Sequence, residues 1–244
     1  MIRTRSWEEA VKGRIVRNAP EFQGTRVPLL DSDLEASPGP HAFVIEQKPH
    51  FVVGAHFHRE YQFQLFSAGG GLLGKHAVQP LTIHYSSPES AYGPIVAGSE
   101  GLSYYTLRAM QGVGACYMPE SRPQMKLGLN KHQVMSGAVH ARAPAALRAL
   151  TAPAIQPCIS ASPDGMAGWK LAVPPAATLP ARALPGSGAR YYFVLGGSLN
   201  VDAQALGPGS VAFVCDEADF LIKAGEAGLE VLVLQFPEQA LQRH

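Results

Sequence analysis

An all-β protein of the barrel or sandwich kind is what this sequence predicts, and three observations carry that reading. Short runs rich in Val, Ile, Leu, Tyr and Phe recur along most of the 244 residues. Glycine and proline turns separate them at the short spacing of closed or face-packed antiparallel sheets. Charged residues are only 16% of the chain, against 25 Gly and 20 Pro. A helical bundle of this size would need more Glu and Lys on its outer faces.

Ser6-Trp-Glu-Glu9 has the form of a capping box and predicts a short helix over Trp7–Lys12. Residues 17–40 carry Pro20, Pro28, Pro38 and Pro40 and read as an irregular lead-in. Strands follow at 42–46, 50–53, 61–66, 81–85 and 102–107, with Tyr61-Gln-Phe-Gln-Leu-Phe66 alternating at a clean period of two. Gly69-Gly-Gly-Leu-Leu-Gly74 reads as a tight glycine turn. Residues 110–135 are mixed, and 141–152, rich in Ala, Leu and Arg, predict a short helix before Pro153. A second β block then gives strands at 168–173, 190–195, 198–201, 210–214, 220–223 and 229–236. Its turns fall at Gly196-Gly197, Gly207-Pro-Gly209 and 224–228. The predicted organisation is a lead-in over 1–36, a first barrel over 37–112, a connecting segment over 113–160 and a second barrel over 161–244.

The net charge of +1, with no basic run interleaved with aromatics, argues against nucleic acid and anionic membranes as partners. No apolar run reaches the roughly 18 residues of a membrane span. The N-terminus lacks the apolar core of a signal peptide, so a cytoplasmic location is expected. Cys116, Cys158 and Cys215 lie far apart without a Cys-x-x-Cys pair and read as reduced, mostly buried thiols. Gly74-Lys-His leads into more strand rather than into Gly-Lys-Ser/Thr at a helix start, so a phosphate loop is not expected. No Gly-x-Ser-x-Gly elbow is present.

The chemistry concentrates at Gly54-Ala-His-Phe-His-Arg-Glu-Tyr-Gln-Phe-Gln64. Residues two apart on a strand point to one face, so His56 and His58 can present two imidazoles side by side. That is what a metal site requires, and a polar pocket without metal is the other reading.

With these residues in view the chain resembles the cupin superfamily, the small β-barrel or jelly-roll fold, in its two-barrel (bicupin) form. His56-Phe-His58 matches the paired histidines of the first cupin motif, and Gly69–Gly71 its later glycines. Gln62 stands where the family usually has glutamate, and Gly54 lies closer to the histidines than the motif prescribes. The second motif, Pro-x-Gly-x-x-His, corresponds to Pro88-Glu-Ser-Ala-Tyr-Gly-Pro94 and supplies no histidine. In the second block, Leu206-Gly-Pro-Gly-Ser-Val-Ala-Phe-Val214 resembles the family's Gly-Asp-x-Val segment, yet no histidine occurs between His140 and His244. A metal motif is therefore expected only in the first barrel.

The resemblance implies a divalent metal (Fe, Mn, Ni or Zn) held by His56 and His58, with Gln62 as third ligand and His84 as a fourth ligand or cavity residue. Glu60 shares parity with the histidines if the strand is unbroken. Glu60, Gln64 and Tyr92 are candidates for the substrate pocket. His76 reads as exposed, and His41, His50, His132 and His140 have no supporting pattern. Two main functional readings remain open, beside a blander third, a structural oligomerisation protein with vestigial sites. One is a metal-dependent, dioxygenase-like or isomerase-like enzyme acting on a small organic molecule. The other is a non-catalytic small-molecule binding or sensor module. A homodimer is the expected assembly.

Overall fold

The computed structural model describes residues 1–31, 39–112, 114–126, 131–215 and 220–242. It is mostly strand, and the chain divides into two compact units: 13–139, and 1–12 together with 140–242. Each unit is built on one large, mainly antiparallel sheet. The all-β fold predicted from strand periodicity is the one observed.

The chain opens with β1 (Ile2–Arg5) and helix α1 (Trp7–Ala10), continued by a 3₁₀ turn to Gly13. The Glu9 N–H donates to Ser6 Oγ at 3.3 Å, half of the expected capping box. The return bond is absent because the Glu9 carboxylate pairs with Lys12 instead.

The N-terminal unit contains β2 (Ile15–Ala19), β3 (Phe22–Leu30), β4 (His41–Gln47) and β5 (Val52–Val53). It continues with β6 (His56–Phe57), β7 (Gln62–Leu73), β8 (His76–Val78) and β9 (Ile83–Ser86). It closes with β10 (Ile95–Arg108), β11 (Cys116–Tyr117) and β12 (Gln133–Met135). The main strand order is β12-β9-β7-β10-β4-β3-β2. The segment expected to be irregular is thus largely the β2–β3 hairpin. Its prolines are accommodated: Pro20 sits in the turn, and Pro28 adjoins a register shift against β4, where a missing N–H interrupts no regular ladder. Pro38 lies outside the described residues.

Within the turn predicted at 69–74, β7 runs through the glycines at 69–71 as far as Leu73. Gly69 has φ +69° beside a register shift with β10, and a Cβ at Gly71 would collide with the Val96 carbonyl. These glycines permit a bulge and a close approach of two long strands, with the turn coming at Gly74.

After helix α2 (Pro144–Arg148), the C-terminal unit contains β13 (Ala154–Ile159), β14 (Ala167–Val173), β15 (Thr178–Pro180) and β16 (Arg190–Val201). It ends with β17 (Gln204–Leu206), β18 (Val211–Val214) and β19 (Leu221–Gln235). The order β1-β18-β16-β19-β14-β13 gives this sheet an edge strand from the extreme N-terminus. Here too, predicted turns at 196–197 and 224–228 lie inside continuous strands, with Gly197 and Gly228 in left-handed conformations at bulges.

The interior of this unit is apolar, with Trp169, Leu171, Tyr192, Val194, Leu229, Val231 and Val233 in one buried cluster. Arg190 lies at its end, 7% exposed. Its guanidinium donates to Gln235 Oε1 (2.9 Å) and to the carbonyls of Ala181 (3.1 Å), Pro185 (3.0 Å) and Gly186 (2.7 Å). Among the described residues no disulfide is formed; Cys215 is buried, but Cys116 and Cys158 are only half-buried, against expectation. No helix among the described residues is long and apolar enough to cross a membrane.

Candidate functional site: a polar cavity in the N-terminal barrel

The face of β7 that carries Gln62 and Gln64 looks onto a cavity of about 270 Å³. β6 supplies His56 and the residue after next supplies His58; β10 supplies Tyr104, Thr106 and Arg108 at alternate positions. An isolated bridge pairs His56 with Tyr92 and brings the Tyr92 ring 4.6 Å from the His56 ring. Phe43, Ile45, Val53 and Tyr117 form the apolar part of the wall.

A directional hydrogen-bond network links the polar groups. His56 Nδ1 lies 2.7 Å from the Gly54 carbonyl, and His58 Nδ1 lies 2.8 Å from the Gly114 carbonyl. A carbonyl can only accept, so both Nδ1 atoms carry the proton and both Nε2 atoms are acceptors. The Tyr92 hydroxyl then donates to His56 Nε2 (3.1 Å) and accepts from Gln62 Nε2 (2.7 Å). Arg108 Nε donates to Gln62 Oε1 (2.9 Å), and its Nη2 stands almost equidistant from the two His58 ring nitrogens, 3.1 Å from Nδ1 and 3.2 Å from Nε2, of which Nε2 is the acceptor when Nδ1 donates to Gly114. The side chains of this chain of bonds are nearly all enclosed: Gln62 is 1% exposed and Arg108 3%.

Burial, reinforced by the Arg108 charge, holds His56 below the ordinary imidazole range, and His58 well below it. Both are neutral at pH 7, as their accepted hydrogen bonds require. Burial pushes the Tyr92 hydroxyl up to about 12, so it stays a donor.

The structure brings His56, His58, Gln62, Gln64 and Tyr92 to one cavity. His84 is buried beside it: its Nδ1 is 2.9 Å from Gln64 Oε1, and its ring is 5.0 Å from that of Tyr92. It lines a neighbouring groove of about 440 Å³ with Tyr92, Gln133, Lys75 and an exposed His76. Burial lowers the His84 imidazole to about 4. Glu60 does not line the cavity. Its carboxyl packs under Gly112, where any side chain would overlap it, and burial raises its pKa.

Three basic cavity residues escape a sequence reading. Arg108 is the most consequential; its signal is parity, since Tyr104, Thr106 and Arg108 share a face of β10. Arg26 and His41, 3.1 Å apart, also line the cavity, although His41 carries no motif.

A resident divalent ion does not fit this donor set. Among the described residues, no group of three or more His, Cys, Asp or Glu side chains is placed to hold a metal ion. The two Nε2 lone pairs are oriented as ligation requires, but one accepts from Tyr92 and the other from a guanidinium. Two unit charges 4 Å apart interact by about 4 kcal/mol at an effective dielectric of 20, and a dication doubles that repulsion. None of the described residues lining the cavity is a carboxylate; the Glu60 carboxyl, behind the lining residue Gly112, interacts electrostatically with Arg108.

Comparison with known proteins places the fold. No protein-family model and no curated protein matches the sequence. Solved structures do match. A proposed dioxygenase from Nostoc punctiforme aligns with a TM-score of 0.61 at 14% identity, over 98% of this chain and 80% of that one. A pirin from Escherichia coli, in complex with nickel(II), aligns at 0.54 and 14% identity over 97% and 99%. An oxalate decarboxylase from Lactobacillus farciminis, in a formate complex, aligns at 0.55 and 12% identity over 92% and 86%. Another match is a cupin barrel protein from Leptotrichia buccalis, at a TM-score of 0.51 and 11% identity. At such identities the likeness establishes the cupin jelly-roll fold and not the activity.

Proposed function

We propose that this chain is a bicupin whose N-terminal barrel is a small-molecule binding module working without a resident divalent metal. The observation that carries the reading is Arg108, hydrogen-bonded at once to Gln62 and His58. It occupies with positive charge the ground that a cation would share with those two side chains. A cavity with convergent polar groups at one side and an apolar wall at the other is the form of an organic-ligand site.

One observation favours a second reading, a metal-dependent dioxygenase-like or isomerase-like enzyme. His56 and His58 hold both Nε2 atoms toward one space, their rings 5.1 Å apart, and the similar pirin structure contains nickel(II). Elemental analysis of protein purified without chelators or a histidine tag separates the two, run beside the His56→Ala/His58→Ala variant. The binding-module reading expects no stoichiometric iron, manganese, nickel or zinc in either protein. About one equivalent in the wild type, lost in the variant, would establish the metalloenzyme instead.

A further inference from the structure

We propose that the N-terminal cavity receives a small neutral molecule through a carbonyl oxygen, which accepts a hydrogen bond from Nδ1 of His41. The proposal rests on the small-molecule reading above and adds the group recognised and the residue that recognises it.

His41 opens β4, where His41, Phe43 and Ile45 alternate on the face that lines the cavity. It is 8% exposed, and its ring packs on Phe43 with the centroids 4.9 Å apart. Arg26 Nη2 lies 3.1 Å from His41 Nε2. A guanidinium can only donate, so Nε2 accepts and Nδ1 carries the ring proton. Asp31 Oδ1 stands 3.4 Å from the same Nε2, long for a hydrogen bond, and pairs with Arg26 at 3.1 Å.

His41 Nδ1 is enclosed and has no hydrogen-bond partner among the described residues. The other two histidines of this cavity differ. His56 and His58 each have both ring nitrogens engaged. A buried N–H without an acceptor is costly, and a ligand oxygen placed against it recovers that cost.

The charges around the cavity are matched within the chain. Arg26 has Asp31, and Arg108, bonded to Gln62 and His58, also interacts with the Glu60 carboxyl behind Gly112. Burial above all, with both guanidiniums, holds His41 below the ordinary imidazole range against the opposing pull of Asp31. Selection at this end of the cavity is therefore by hydrogen bonding and not by net charge. Phe43 and Ile45 offer an apolar wall, and about 270 Å³ accommodates a body the size of one ring.

The test is an NMR titration of the whole chain with three probes. Acetophenone carries the carbonyl, α-methylstyrene is its isostere with a methylene in place of the oxygen, and benzoate carries a charge. Acetophenone is expected to bind at least about tenfold more tightly than α-methylstyrene and no more weakly than benzoate. It should also move the His41 Nδ1 resonance in a long-range proton–nitrogen correlation. His41→Gln leaves an amide for Arg26 but nothing in the place of Nδ1, and should lose the preference. His41→Asn puts an amide N–H near that place and should keep part of it.

Equal binding of acetophenone and α-methylstyrene would overturn the proposal while leaving a small-molecule cavity standing. A preference that persists in His41→Gln would remove His41 from recognition and overturn it as stated. Benzoate binding more tightly than acetophenone would overturn the neutral class. Binding of none of the three, into the millimolar range, would sink both the proposal and the reading beneath it. If neither variant folds, the wild-type probe ratios and the Nδ1 resonance decide the matter.

Discussion

In the N-terminal unit, Gln62 on β7 pairs in register with Arg108 on β10; in the C-terminal unit, Arg190 on β16 pairs with Gln235 on β19. The same two residue types are exchanged between equivalent strands. Both guanidiniums lie near an aromatic ring, Arg108 at 5.8 Å from Phe43 and Arg190 at 5.9 Å from Trp169. From that shared frame the interiors diverge. Gln64 opposite His84 in one barrel corresponds to Tyr192 opposite Ala212 in the other, and Thr106 corresponds to Val233. Polar side chains that leave a cavity are replaced by apolar ones that fill it, and loop carbonyls close over Arg190. One fold thus yields a polar cavity or a packed core, depending on a handful of inward positions.

The largest contrast is expected in stability. Tyr192→Ala removes a fully buried ring and should cost about 3–5 kcal/mol in denaturant unfolding. Gln64→Ala, at the equivalent place, should cost less than about 1.5 kcal/mol and act on ligand binding instead. Similar costs for the two would break the comparison.

The two arginines sharpen it next. Arg190→Leu strips the donors from three backbone carbonyls and Gln235, an expected loss of about 3 kcal/mol. Arg108→Gln should lower the melting temperature less than Arg190→Leu does.

Acid should act through His84, whose counterpart is Ala212. The unfolded chain takes up that proton near pH 6.5, whereas the folded chain does so only near 4. Between these values the unfolded state binds more protons, so acid favours it. The stabilisation is complete above about pH 6.5 and falls as the pH drops toward 4, by about 3 kcal/mol in all. His84→Gln should flatten that part of the stability–pH curve. An unchanged slope would show that His84 is not the titrating group.

The effects at the bulges should be alike in both barrels. Gly71→Ala drives a methyl into the Val96 carbonyl, and Gly197→Ala drives one into the Gly228 carbonyl at φ +67°. Each should cost about 1–3 kcal/mol by thermal or denaturant unfolding.

Much of this is legible in the sequence, and the residues show where legibility stops. Period-two alternation marks the β class, and the His-x-His spacing marks His56, His58 and their neighbours, because both signals are local. The long strands β16 and β19 read as pairs of short ones and β7 as one short strand ending in a turn, since glycine is also the commonest turn signal. The partner of β1 lies about 210 residues away, and no local pattern reports such a pairing. Arg108 is hidden for the same reason: its meaning depends on the register that sets it opposite Gln62. A chain read for ligands by spacing alone finds the histidines and misses the cation that faces them.

The central claim is that Arg108, with Gln62, keeps a divalent ion out of a site that two histidines would otherwise begin. Nickel(II) titration by calorimetry of the wild type, His56→Ala/His58→Ala and Gln62→Glu/Arg108→His tests it most directly. The account predicts that the wild type binds nickel no more tightly than the histidine-free variant, and that Gln62→Glu/Arg108→His gains a site of about one equivalent. Tight wild-type binding that is lost with the two histidines and gains nothing from the Gln62→Glu/Arg108→His substitutions would contradict it.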